Sequence, residues 1–91
     1  MNKEEITQKL KNEGFPFVHE WTDKPNTIYD VHQDKVALYI LEGEVTFDFS
    51  GEKKLFKVGE WIDVPRNTDH SAIVGAEGMS IIYGEMIEGD A

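Results

Sequence analysis

The chain has 91 residues, 40% of them hydrophobic and 30% charged, which suits one globular domain and is too apolar for a disordered chain. Lys and Arg total 9 against 18 Asp and Glu, a net charge of −9, so the field of the molecule repels nucleic-acid phosphates and anionic membranes. No cysteine is present, which removes disulfides, thiolate zinc sites and thiol nucleophiles at once.

The N-terminal residues read as a helix over 2–13. Asn2 is a cap, Glu5 completes a capping box, and Ile6 and Leu10 share one face. Gly14 ends the helix in the left-handed region. With so few apolar positions the helix is expected to cover something rather than to build a core. From residue 16 to residue 87 the pattern is one of strands. Phe17–Trp21 is the first, closed by the turn Asp23-Lys24-Pro25-Asn26, and Thr27–Val31 is the second. Val36–Leu41 is continuously apolar, as a strand buried on both faces would be. Glu42-Gly43 reads as a tight turn. Val45, Phe47 and Phe49 then alternate with polar residues on a half-buried strand. Ser50-Gly51 is a hairpin turn, followed by strands at Lys53–Val58 and Glu60–Val64. Pro65–Thr68 turns the chain into His70–Val74, and Gly75–Gly78 turns it into Met79–Tyr83, which is extended to Ile87. Residues 88–91 read as a solvated tail. Seven or eight short strands at such intervals, with one helix, give an all-β sandwich or barrel and exclude a βαβ sheet.

The stretch from Gly59 to His70 resembles the second motif of the cupin superfamily. Gly59, Pro65 and His70 match in identity and spacing, and Asn67 stands in a glycine's place, which its tolerance of the left-handed region allows. The first motif resembles Asp30 to Gly43: Gly43 matches, His32 falls on the second histidine, Asp30 on the first, and Val36 on the glutamate. The resemblance runs from about Tyr29 to Ile81. It implies a single small domain over 1–91, a jelly-roll barrel (the double-stranded β-helix) with a short N-terminal α-helix. It also implies a site inside the barrel.

That site has two readings. His32, His70 and Asp30 are good ligands for a divalent iron, manganese, nickel or zinc ion, and two histidines with one carboxylate leave coordination positions open. Asp30 and His32, two apart on a strand, would share a face. The other reading is a barrel without metal, because the valine at 36 cannot coordinate. His32 and His70 would then be pocket residues. Tyr29, Tyr39, Trp61 and His19 are candidates to line that pocket, since a small barrel mouth holds one ligand between rings and a few polar groups. Ser71 beside His70 makes no dyad, because strand neighbours face opposite ways.

Three function classes follow: a metal-dependent enzyme acting on a small organic substrate, a non-catalytic small-molecule binder, and a structural dimer with a vestigial pocket. A homodimer is expected, because a chain this short buries only about 60–65% of its unfolded surface. No apolar run approaches the ~20 residues of a membrane span. The first five residues lack the order of a signal peptide, so the expected location is the cytoplasm.

Overall fold

In a computed structural model, which describes residues 1–32 and 35–86 and only the backbone of Val31, His32 and Met86, the helix α1 spans Lys3–Asn12. Its cap forms as the sequence implies. Asn2 Oδ1 accepts from the Glu5 N–H at 2.8 Å, and Glu5 Oε1 accepts from the Asn2 N–H at 3.1 Å. Gly14, at φ 94°, turns the chain out of the helix. Ile6 and Leu10 are fully buried, with Phe15, Ala37 and Ile82 around them.

Six strands follow: β1 (Val18–Asp23), β2 (Ile28–His32), β3 (Lys35–Phe49), β4 (Glu52–Lys57), β5 (Trp61–Val64) and β6 (His70–Met86). The expected limit of the barrel at Ile87 and the tail at 88–91 lie outside the described residues. Strands β3 and β6 are long antiparallel partners, in register from Lys35↔Met86 to Asp48↔Ser71. Each is bent, so the pair belongs to two sheets. One sheet runs β1, β6, β3, β5 and the other β2, β6, β3, β4. The inner faces close on one apolar core built from Leu38, Ile40, Val45, Phe47, Ile62, Val74 and Ile81. The architecture is all-β, a jelly-roll barrel with one helix at its N-terminal end.

The turns expected at Glu42-Gly43 and Gly75–Gly78 are corners within continuous strands. Register shifts flank Gly43, and residues 75–78 stand opposite Glu44 alone. A bulge bends a strand without ending it. Gly43 sits at φ 80°, where a Cβ would lie 2.0 Å from the Gly78 carbonyl oxygen, so only glycine fits this crossing.

The strand at 36–41 is buried on both faces. Val36, Leu38 and Ile40 enter the barrel, while Ala37, Tyr39 and Leu41 pack outward beneath α1. The helix therefore covers the back of the first sheet, not the barrel interior. Phe15 lies over Gly84, where a Cβ would meet its ring at 2.6 Å.

Candidate functional site

Between the two inner faces lies a cavity of about 310 Å³. That is the lower end of the about 300–1,000 Å³ typical of small-molecule sites. Its walls are mostly apolar: Val36, Leu38, Val45 and Phe47 from β3, and Ala72, Met79 and Ile81 from β6. Polar groups enter from three strands: Trp21 and Asp23 on β1, Tyr29 on β2, and His70, Tyr83 and Glu85 on β6.

Asp23 is the least expected member. It ends β1 opposite Met79 and is only 6% exposed. Trp21 Nε1 donates to its Oδ1 at 3.0 Å, and the Tyr29 hydroxyl donates to the same oxygen. The other carboxylate oxygen, Oδ2, has no hydrogen-bond partner among the described residues. A buried acceptor in that state is costly, so the site is chemically unfinished. Burial, followed by the hydrogen bond to Asp23 and its negative charge, pushes the Tyr29 phenol well above its usual range. Burial and the charges of Glu85 and Asp23 push the Tyr83 phenol up as well. Both phenols therefore stay protonated and remain donors at neutral pH.

His70 opens β6 and is 1% exposed. Its Nδ1 lies 2.8 Å from the Thr68 carbonyl oxygen. A carbonyl only accepts, so Nδ1 carries a proton. The imidazole stacks on Phe47, with centroids 6.1 Å apart and planes 21° from parallel. The turn before it is set by Asn67 at φ 62°, the left-handed conformation its place in the motif implies.

His32 pairs with His70 across the β2–β6 ladder, and its side chain lies outside the described residues. Asp30 is exposed and is not a cavity residue. The reason is alternation: Tyr29 beside it lines the cavity, and neighbours on a strand face opposite ways. The register then shifts, so that Tyr29 pairs with Ala72 and His32 with His70 while Asp30 and Val31 together stand opposite Ser71. Val36, in the glutamate's place, lines the cavity. Among the described residues there is no group of three His, Asp or Glu side chains that could hold a metal ion.

Tyr29 lines the cavity, whereas Tyr39 and Trp61 pack on the opposite face of the first sheet. Strand alternation explains the difference, since Tyr39 lies between the inward Leu38 and Ile40. Tyr39 and Trp61 meet edge to face at 5.1 Å, and Lys9 Nζ sits 5.0 Å from the Trp61 ring centroid, so the pair docks α1. His19 is exposed at the rim, with its ring 5.5 Å from that of Tyr83.

Asp23 and Glu85 are functional candidates that sequence reasoning passed over. Asp23 reads as the start of a polar turn, Asp23-Lys24-Pro25-Asn26. The available signal was parity: Asp23 lies two residues from Trp21 and four from His19, on the face already assigned inward.

Known structures share this architecture. An RmlC-like cupin from Shewanella frigidimarina superposes with a TM-score of 0.65 at 22% identity, over 81% of this chain and 68% of its own. An uncharacterized conserved protein with a double-stranded β-helix domain from Klebsiella pneumoniae gives 0.67 at 16% identity, over 81% of this chain and 69% of its own. A cupin domain from Schizosaccharomyces pombe gives 0.67 at 16% identity over 78% of this chain, which spans 52% of that longer one. No protein-family model matches the sequence, and no curated protein matches it closely. Likeness at these identities concerns the fold.

Proposed function

The chain has the cupin fold, and we propose that it is a small-molecule-binding module that holds an organic ligand inside the barrel without a metal ion. One observation carries this reading: the cavity wall is apolar where the resemblance expects a ligating glutamate, at Val36, and polar where it expects none, at Asp23. The apolar walls supply affinity through burial, at roughly 25 cal/mol per Å². The few polar groups fix orientation: the Tyr83 phenol donates and Asp23 Oδ2 accepts, while the Tyr29 hydroxyl is spent on Asp23 Oδ1. A ligand-detected NMR screen of small organic fragments tests the reading. The comparison is with Ala72→Trp, which fills the cavity from β6. Hits lost in the filled variant support it. A screen whose hits bind both proteins equally would refute it.

A second reading, a metal-dependent cupin enzyme using iron, manganese, nickel or zinc, is favoured by the pairing of His32 with His70. Protein purified without chelator decides between them. Stoichiometric metal that disappears in both His32→Ala and His70→Ala would replace the metal-free reading.

We also propose that the module is a homodimer. The outer face of the second sheet carries a cross-strand row, Ile28 on β2, Ile73 on β6, Thr46 on β3 and Leu55 on β4. Its aliphatic members are 69%, 53% and 48% exposed, which is an unusual row for a monomer's surface. Lys53 and Lys57 flank the β4 end and Asp30 stands at the β2 end. A two-fold pairing of this face would set opposite charges against each other.

A further inference from the structure

We propose that the cavity is selective for a cationic amine with an apolar body, its ammonium group placed beside Asp23 and within reach of Tyr29 and Tyr83. This rests on the small-molecule reading and adds the charge and chemical class of the ligand.

Among the described residues the cavity lining includes two carboxylates, Asp23 and Glu85, one imidazole, His70, and neither Lys nor Arg. Asp23 is held by two donors that both address Oδ1, from Trp21 and Tyr29. Those bonds fix the carboxylate and leave Oδ2 as the acceptor that nothing among the described residues satisfies. A carboxylate only accepts, so whatever completes it must donate. A neutral hydroxyl would supply the hydrogen bond alone. An ammonium supplies the hydrogen bond and also balances the buried charge, which makes it the stronger partner. Four aromatic residues, Trp21, Tyr29, Phe47 and Tyr83, line the same cavity. Ring faces attract a cation and do nothing for an anion.

Longer-range effects act in the same direction. Burial does most to raise the Tyr29 and Tyr83 phenols, and the charge of Asp23 at Tyr29 and those of Glu85 and Asp23 at Tyr83 add to it. The net charge of −9 attracts cations to the whole surface and raises their encounter rate. A carboxylate or phosphate ligand would meet charge of its own sign at each step. The apolar wall, Val45, Phe47, Ala72 and Ile81, asks for a hydrocarbon or aryl body on the amine.

The test uses three probes of one shape: phenethylamine, 2-phenylethanol and 3-phenylpropanoate. Each is titrated into the ¹⁵N-labelled protein, and binding is followed by amide shifts at Asp23, Ala72 and Ile81. The expected result is an amine at least tenfold tighter than the alcohol, with the carboxylate weakest. In Asp23→Asn the amine-to-alcohol ratio should fall below threefold. Glu85→Gln, a more exposed change, gives a second reading if the Asp23 variant folds poorly, and should lower the ratio by at least twofold. Equal affinities for all three probes, or a preference for the carboxylate, would overturn the amine proposal while leaving the small-molecule reading in place. Amine shifts confined to acidic residues outside the barrel would also overturn it. Absence of binding by all three probes at millimolar concentration would remove both.

Discussion

Gly43→Ala is expected to be among the most damaging single-methyl changes in this barrel. The residue sits at φ 80°, which costs an L side chain roughly 1–2 kcal/mol. An added Cβ would also lie 2.0 Å from the Gly78 carbonyl oxygen and 3.0 Å from Met79 Cα. Both neighbours are backbone, so relief requires the β3–β6 corner to shift, an overpacking cost of about 1–3 kcal/mol. Reduced freedom of the unfolded chain returns about 0.4–1 kcal/mol. The net loss is then roughly 1–4.5 kcal/mol, centred near 3, against the ~5–14 kcal/mol expected for a domain of this size. In thermal terms the central value is a fall of roughly 12–24 °C. Gly51→Ala is the control. It has φ 98° with nothing within 4 Å of the added Cβ, so it carries the conformational cost alone, about 1 kcal/mol. Urea and thermal melts followed by circular dichroism measure both. The corner also supports the site, because a Cβ on Gly78 would meet the Asp23 carbonyl oxygen at 2.8 Å. Gly43→Ala should therefore weaken cavity ligands as well as the fold. If its destabilisation does not exceed that of Gly51→Ala, the packed-corner account is wrong.

Asn67→Ala should cost about 1 kcal/mol and Asn67→Gly close to nothing, because the position lies at φ 62° and the barrier is to a Cβ without a local hydrogen-bonding group; urea melts of the two variants decide. The phenols of Tyr29 and Tyr83 are raised in the folded state, so folding favours their protonated forms. Their contribution to stability is then fully present below pH ~10, the usual tyrosine value, and fades as pH rises through the folded values. Absorbance titration at alkaline pH, run on the native protein and in denaturant, should show two phenols ionising later in the native state. Coincident curves would contradict the buried Asp23 network. If the proposed homodimer forms through this face, Ile73→Glu should give a monomer by light scattering at micromolar concentration, with its circular dichroism unchanged. An unaltered dimer would move the interface elsewhere.

Period and punctuation alone determined a good deal about this protein. The capping box at Asn2 and Glu5, the two-faced burial of 36–41 and the left-handed Asn67 are local properties. They follow from side-chain spacing and backbone sterics, and they appear in the structure as read. The match of Gly59, Pro65 and His70 to a cupin motif implied, by resemblance, the jelly roll that the structure has. Tertiary structure decided the rest. Gly43 and Gly75–Gly78 punctuate the sequence as turns do, but each strand has its partner on the other, and that long-range pairing carries both through as corners. The bulge between Tyr29 and His32 shifts the pairing of β2 on β6, and a bulge is a property of two strands rather than one. Asp23 shows the same limit most plainly. Next to Pro and Asn it looks like a solvated turn residue, and it became a buried carboxylate because Trp21 and Tyr29 converge on it from two strands. Alternation along one strand can be counted in a sequence. The depth of a side chain depends on what the other sheet places over it.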